Sequence, residues 1–424
     1  MVRALYSLLV RAVQPLLRRK LARRGRAEPG YLQAVEERFG HYDMPVLPAD
    51  GRTLWVHAVS LGETRAAAVL LGELRAQWPG YRLLLTHGTA TGRAEGAGLL
   101  RAGDVQVWQP WDTPEAVQRF LAHFRPRLGI LMETEVWPNL AAACAAAGVP
   151  LVLANARLSE KSLRQALRVA WLSRPTYRSL AAVWAQTEDD AQRLRQLDAP
   201  VQAVYGNLKF DATPDASLLA RGQAWRAALG RPVVMFASAR EGEEQMLLDA
   251  LQATGAAARA VQWLIVPRHP QRFDEVAQLI QAAGWRLARR SLWGEQPTLV
   301  DQSADVWLGD SLGEMAQYYG LSDAALLGGS FAPLGGQNLI EAAACGCPVY
   351  MGPHTFNFDE AASLALDAGA ALRCADMADA VSGVLALLRE PGRQEAMARA
   401  ARRFAQAHRG AAARTRQALA VYLD

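Results

Sequence analysis

The amino-acid sequence predicts an α/β protein built from two doubly wound parallel sheets, and three observations lead there. Short apolar runs alternate with helical stretches through most of the chain, the rhythm of successive βαβ units. The series is interrupted once near mid-chain, by Asp211-Ala212-Thr213-Pro214-Asp215, which reads as a linker. A length of 424 residues exceeds what one hydrophobic core normally serves, so two domains are expected. With 51% hydrophobic and 21% charged residues the chain has the balance of a globular protein, which excludes disorder.

Residues 1–30 hold Arg3, Arg11, Arg18, Arg19, Lys20, Arg23, Arg24 and Arg26 against the single acid Glu28. Between the cations run Leu5-Tyr6-Ser7-Leu8-Leu9-Val10 and Val13-Gln14-Pro15-Leu16-Leu17, too short to span a bilayer. The polybasic block after Leu17 argues against an export signal. Such a segment reads as a helix lying in an anionic membrane surface, or as a helix docked on the core with a basic outer face. No nucleic-acid recognition module accompanies the charge.

Thr53–Ser60 then reads as a strand, Thr64–Trp78 as a helix and Arg82–Thr86 as a strand, followed by the turn 87–92 and another helix. Leu128–Met132, Pro150–Ala154 and Ala182–Ala185 continue the strand series. After the linker come Val233–Ala237, Trp263–Val266, Val306–Leu308, Ala324–Leu327 and Val349–Met351. The expected organisation is a basic segment 1–30, a Rossmann-like domain 31–211 and a second one 212–424, facing one cleft, with room for the last helix to cross back. Neither domain has G-x-G-x-x-G or a P-loop lysine, which disfavours a dehydrogenase or an NTPase. Cys144, Cys345, Cys347 and Cys374 are too few for a disulfide framework and match no zinc spacing, so a reducing cytoplasm fits.

The most informative stretch is Gly328-Gly329-Ser330 through Gly335-Gly336-Gln337-Asn338-Leu339-Ile340-Glu341. It follows an apolar strand, its glycine pairs permit close backbone approach, and a helix opening at Asn338 offers N–H groups to an anion. Glu341 in the first turn suits a pair of ribose hydroxyls; phosphate and sugar together suggest a nucleotide. The same residues also fit a plain glycine-rich strand-to-helix turn. Other polar residues fall at strand ends, where open α/β sheets bind ligands. Glu63 follows the first strand in Ser60-Leu61-Gly62-Glu63, at a helix start whose dipole lowers its pKa, so service as a base needs compensating burial. Glu133 and Glu135 stand beside Trp137 after Met132, and Lys209 lies in Gly206-Asn-Leu-Lys-Phe-Asp211. Arg268 is flanked by prolines in Pro267-Arg-His-Pro270, and Leu312-Gly313-Glu314 forms another turn into a helix. Thr187-Glu188-Asp189-Asp190 reads as a capped helix start.

Taken in order, Ser60-x-Gly-Glu63, Met132-Glu-Thr-Glu135-x-Trp-Pro138, Ala154-Asn-Ala-Arg-Leu-Ser159, Gly206–Asp211, Pro267–Pro270, Gly309-Asp310 with Gly313-Glu314-Met315, and Met351-Gly-Pro-His-Thr-Phe-Asn-Phe358 resemble the 3-deoxy-D-manno-octulosonic acid (Kdo) transferases of lipopolysaccharide synthesis. The resemblance runs from the basic N-terminal segment to about residue 360. Gln337 stands where His is common, and Leu339-Ile340 replaces a more usual Pro-Leu. It implies a two-domain GT-B glycosyltransferase moving Kdo from CMP-Kdo to a lipid A precursor (lipid IVA), on the cytoplasmic face of the bacterial inner membrane. Glu63 would be the general base; Glu133 or Glu135 with Lys209 would support the transition state. Pro267, Arg268, Leu312, Gly313, Glu314, Asn338, Leu339, Ile340 and Glu341 would hold CMP. The sequence has no D-x-D pair, so metal-independent transfer is expected, and a base in the first domain with a nucleotide site in the second, which puts attack opposite departure, favours inversion. Two rival readings are another GT-B sugar-nucleotide enzyme, such as a UDP-sugar transferase or epimerase, and a non-catalytic membrane-associated binding protein.

Overall fold

The computed structural model describes residues 2–294 and 296–424 and divides into two compact units. The first runs to Ala212 and is completed by Arg409–Asp424; the second is Thr213–His408. The second domain therefore ends at His408, not at the C-terminus, and the final helix Ala411–Leu423 belongs to the first unit.

The first unit is built on seven parallel strands: β1 (Thr53–His57), β2 (Arg82–His87), β3 (Val105–Trp108), β4 (Leu128–Met132), β5 (Leu151–Ala156), β6 (Ala182–Ala185) and β7 (Val201–Val204). Their order is β3-β2-β1-β4-β5-β6-β7. The second unit has β8 (Val233–Ala239), β9 (Gln262–Pro267), β10 (Leu287–Arg289), β11 (Val306–Leu308), β12 (Ala324–Leu327), β13 (Val349–Met351) and β14 (Ala371–Arg373), in the order β10-β11-β9-β8-β12-β13-β14. The central strands of both sheets are buried along their length, as strands covered by helices on both faces must be. All registers are parallel, so every strand of a unit ends at the same edge. The order reverses between β1 and β4 in one sheet and between β8 and β12 in the other, and ligand crevices of open sheets form at such switch points.

The N-terminal helix Val2–Ala27 has two unlike sides. One side is docked: the Tyr6 hydroxyl donates to Asp112 (2.9 Å), Ser7 to Asn139 (2.9 Å), and Leu21 packs on Tyr31 and Trp108. Arg11 pairs with Glu115, and Arg18 with Glu36. Leu5, Leu8, Leu9, Val13 and Leu16 lie on the other side and are 41–62% exposed. No helix among the described residues is long and apolar enough to cross a membrane.

The last helix buries Ala411, Ala412, Leu419 and Leu423 against Leu70, Leu71 and Leu74 of the helix Leu61–Gln77. Asp211 accepts the N–H groups of Gly410 and Ala412 at its start, which explains the acid that ends the Gly206–Asp211 motif. Leu419→Ala, at a fully buried site, should cost about 2–5 kcal/mol. Val421→Ala, 80% exposed, should stay within about 0.5 kcal/mol. Urea unfolding of both variants distinguishes a helix that is integral to the unit from one that merely rests on it.

Candidate active site

In the first unit the candidate acids follow β1 and β4, the strands on either side of the switch point. Ser60 is the N-cap of the helix Leu61–Gln77, its Oγ accepting the Glu63 N–H (3.4 Å). Glu63 in return accepts the Ser60 hydroxyl at Oε1 (3.0 Å) and the Val59 N–H at Oε2 (2.9 Å). This reciprocal cap accounts for the spacing of Ser60 and Glu63 without any chemistry. The carboxyl is nevertheless half-buried, and that burial pushes its pKa up to about 7. The Val59 and Ser60 donors pull it down, whereas the charges of Glu133 and Glu135 push it further up. Beneath the turn, His87 is fully buried against the Ala58 carbonyl (2.9 Å), and burial lowers its pKa to about 4. It is neutral near pH 7, so no imidazolium counters the rise. Burial supplies the compensation that a base at a helix start requires.

Glu133, the first residue past β4, adopts left-handed backbone (φ 59°), which costs a non-glycine residue on the order of 1 kcal/mol. Its carboxylate is buried between two cations: Arg157 Nε lies 3.0 Å from Oε2 and Lys209 Nζ 3.5 Å from Oε1. Glu135 accepts the Trp137 indole N–H (2.9 Å), and burial raises its pKa. Lys209 is placed by a polar chain. Asn155, also left-handed (φ 53°), accepts the Leu208 N–H (3.0 Å), and its carbonyl accepts from Gln186 (2.9 Å). Gln186 takes the Asn207 amide (3.1 Å), and Asn207 caps the Lys209 N–H (3.0 Å). The structure thus gathers Glu63, Glu133, Glu135 and Lys209 at one sheet edge and adds Arg157, whose place in Ala154–Ser159 gave no hint of this pairing. Thr187 caps Asp190 (3.0 Å), as its sequence suggested.

In the second unit, Arg268 follows β9 and its Nε donates to Gln337 (3.1 Å) in the glycine-rich loop after β12. Gly329, Gly335 and Gly336 have φ of 71°, 90° and 77°. Gly328 has a different reason to be glycine: a Cβ there would lie 2.2 Å from the Ser238 carbonyl, so the close approach is to the chain's own backbone and not to a ligand. The helix after the loop, Leu339–Ala344, is short, and Asn338 takes its Ile340 N–H (3.1 Å). One of the donors expected to be free is therefore used, and Leu339 and Ile340 are buried anchors. Glu341 is half-buried in the first turn and its charge acts on Tyr319 of the neighbouring helix Met315–Leu321. That helix begins after Leu312, which is exposed, Gly313 (φ 82°) and Glu314. The Glu314 carboxylate accepts from Arg290 (2.7 Å) and Ser311. Pro267 closes β9.

The sequence reading missed Glu243 and Glu244. Both are fully buried at the start of the helix Glu243–Thr254, directly after β8. Glu243 accepts four backbone N–H groups: Arg240 (3.0 Å) and Gly329 (2.6 Å) at Oε2, Phe331 (3.0 Å) and Ala332 (3.1 Å) at Oε1. Glu244 pairs with Arg272 (2.6 Å), in the turn that follows Arg268. Two adjacent carboxylates therefore hold both loops that carry the candidate nucleotide residues. The available signal was a Gly-Glu-Glu at the end of an apolar strand. Glu243→Gln leaves at least two donors facing an amide group, at roughly 1–3 kcal/mol each. Lower thermal stability and faster hydrogen exchange at Gly329 and Phe331 are expected; unchanged exchange would show that the loop holds itself.

Residues 33–212 match the family model described as 3-deoxy-D-manno-octulosonic-acid transferase (kdotransferase), and residues 273–420 match one described as glycosyl transferase-like. The chain is 49% identical to a 3-deoxy-D-manno-octulosonic acid transferase of Bordetella pertussis over 100% of both chains. It is 32% identical to that of Haemophilus influenzae over 100% of this chain and 99% of the relative. A UDP-GlcNAc 2-epimerase from Neisseria meningitidis superposes with a TM-score of 0.56 over 88% of this chain and 99% of its own, at 16% identity, which shows a shared GT-B fold alone. The comparison sets the epimerase reading aside: the chain belongs to the 3-deoxy-D-manno-octulosonic acid transferase family of glycosyltransferases.

Proposed function

We propose that this glycosyltransferase moves Kdo from CMP-Kdo to a lipid A precursor, with inversion, at the cytoplasmic surface of the inner membrane. The observation that carries the mechanism is Glu63, a half-buried carboxyl brought to a pKa of about 7 beside a Glu133–Lys209 pair. Glu63 takes the proton of the acceptor hydroxyl as that oxygen attacks the anomeric carbon. Lys209, steered by Glu133, and Arg157 supply positive charge for the sugar acid's carboxylate and the charge that develops at the reacting centre. CMP leaves as a phosphate monoester. Arg268, held by Gln337, meets the phosphate, and Glu341 accepts the ribose hydroxyls; no divalent ion is required in this scheme. The exposed apolar row of the N-terminal helix, with its basic flanks, seats the protein on anionic lipid.

Glu63→Gln keeps the cap but cannot accept a proton, so transfer should fall by roughly 10²–10⁴-fold with CMP affinity nearly intact. Near-normal turnover would transfer the role to Glu133 or Glu135. The parent enzyme's kcat/KM should rise with pH through a limb near about 7, as Glu63 loses its proton. The stability sign follows from the same shift. A pKa raised from 4.5 means that folding favours protonated Glu63: its contribution is complete below pH 4.5 and lost as pH rises through about 7. Glu63→Gln abolishes this dependence, so the variant should gain on its parent in thermal stability between about pH 5 and 8.

Arg268→Ala and Glu341→Ala should each weaken CMP binding by about ten- to a hundredfold, as loss of a charged hydrogen bond does. Calorimetry with the folded variants checks the assignment, and unchanged affinity in both removes it.

A further inference from the structure

The N-terminal helix is not the only part of the first unit that combines exposed apolar side chains with cations. Residues 160–178 fold as two short helices, Glu160–Arg168 and Ala170–Arg178, joined at Val169. Leu163 and Tyr177 anchor the pair in the core. On the outer side Val169 is 40% and Trp171 51% exposed. The segment carries Lys161, Arg164, Arg168, Arg174 and Arg178 against Glu160 alone. Of the five cations only Arg178 has a carboxylate within ion-pair distance among the described residues, namely Asp198 at 2.6 Å. The Trp171 indole makes no hydrogen bond and no ring contact among the described residues. A half-exposed tryptophan on a segment with three exposed arginines that lack a carboxylate partner among the described residues is suited to the headgroup layer, where the ring sits at the apolar boundary and the guanidinium groups meet phosphates. The second helix of the pair also packs directly against the N-terminal helix, which presents Leu5, Leu8 and Leu9.

We propose that the helix pair 160–178 is a second lipid-contacting element, in which Trp171 and Val169 enter the interface of an anionic membrane and Arg164, Arg168 and Arg174 bind its headgroups. Charge decides against a second copy of the chain as the occupant, because a self-complementary contact here would set cation against cation. The element has a direct line to the chemistry. It begins three residues after Arg157, which pairs with Glu133, so the strand end that carries this ion pair leads straight into the lipid-facing surface. This inference needs only the membrane part of the proposed function and not the identity of the sugar.

The test uses the full chain and vesicles of phosphatidylcholine alone or mixed with phosphatidylglycerol. The triple variant Arg164→Gln, Arg168→Gln, Arg174→Gln should lose about a hundredfold in binding to the anionic vesicles, at about 1 kcal/mol for each cation near the surface. Trp171→Ala should lose roughly tenfold on them, in keeping with the withdrawal of one buried aromatic side chain. The substitutions are on exposed positions, and circular dichroism verifies folding. Depth is read separately: brominated lipid should quench the parent more than Trp171→Phe. Kdo transfer from CMP-Kdo to acceptor dispersed in detergent should be unchanged in both variants, whereas transfer to acceptor embedded in vesicles should drop. Vesicle binding equal to the parent's in both variants would overturn the proposal and leave an acidic protein as the partner of the patch. A parent that binds vesicles in this pattern but transfers no Kdo in detergent would instead defeat the functional reading and leave the membrane element standing.

Discussion

The arrangement of the second unit depends on one carboxylate. Glu243 is removed from water completely, a cost that is tolerable only because four backbone N–H groups converge on its two oxygens. Three of those donors come from the loop after β12, which fixes the glycine-rich backbone across the switch point from β8. Glu244, one residue on, performs the same service for the turn after Arg268 through Arg272. The loops that carry the candidate nucleotide residues are thus held by buried charge as well as shaped by their own glycines. Glu63 in the first unit is the contrasting case. It stands at the same topological position, after the first strand of its sheet, but among the described residues it accepts two hydrogen bonds, and it has acidic neighbours. Burial, with those acidic neighbours, holds its pKa up at about 7.

The central strands were legible because burial on both faces writes itself as an uninterrupted apolar run, as in Leu128–Met132 and Ala324–Leu327. The strands that sequence reading passed over are β3, β7, β10 and β14. All lie at or next to a sheet edge or are only three or four residues long, with partly exposed positions such as Gln202 and Arg289 breaking the run. Glu63, Glu133 and Arg268 were legible for a related reason: each follows a readable strand, so its place at the carboxyl edge follows from the strand itself. Arg157 and Glu243 were not, because their importance lies in partners 24 and 86 residues away or more. No local pattern encodes such pairings. The glycine-rich loop fell between the two cases. Its turn was readable, but Gly328 is required by Ser238 of a different strand, a contact only the folded chain reveals.

Polar docking and apolar display coexist on the N-terminal helix because the two needs use different faces. Tyr6, Ser7, Arg11 and Arg18 hold it against the first unit, which fixes the direction in which Leu5, Leu8, Leu9 and Leu16 point. A helix tethered this way cannot roll to hide its apolar row, so the exposed surface is a built property of the fold and not a consequence of a loose terminus. The two left-handed residues Glu133 and Asn155 express the same economy at the sheet edge, where local backbone strain is held in place by hydrogen bonds from neighbouring strands.

The final helix has a consequence for biogenesis. The first unit's own sheet is complete by Val204, yet part of the cover over Leu70, Leu71 and Leu74 comes from residues 411–423. During translation that part of the seat stays open while the whole intervening unit, Thr213–His408, is made. A chain cut before Ala411 therefore keeps the residues of its second unit but leaves the first with a greasy strip exposed for chaperones and proteases to find.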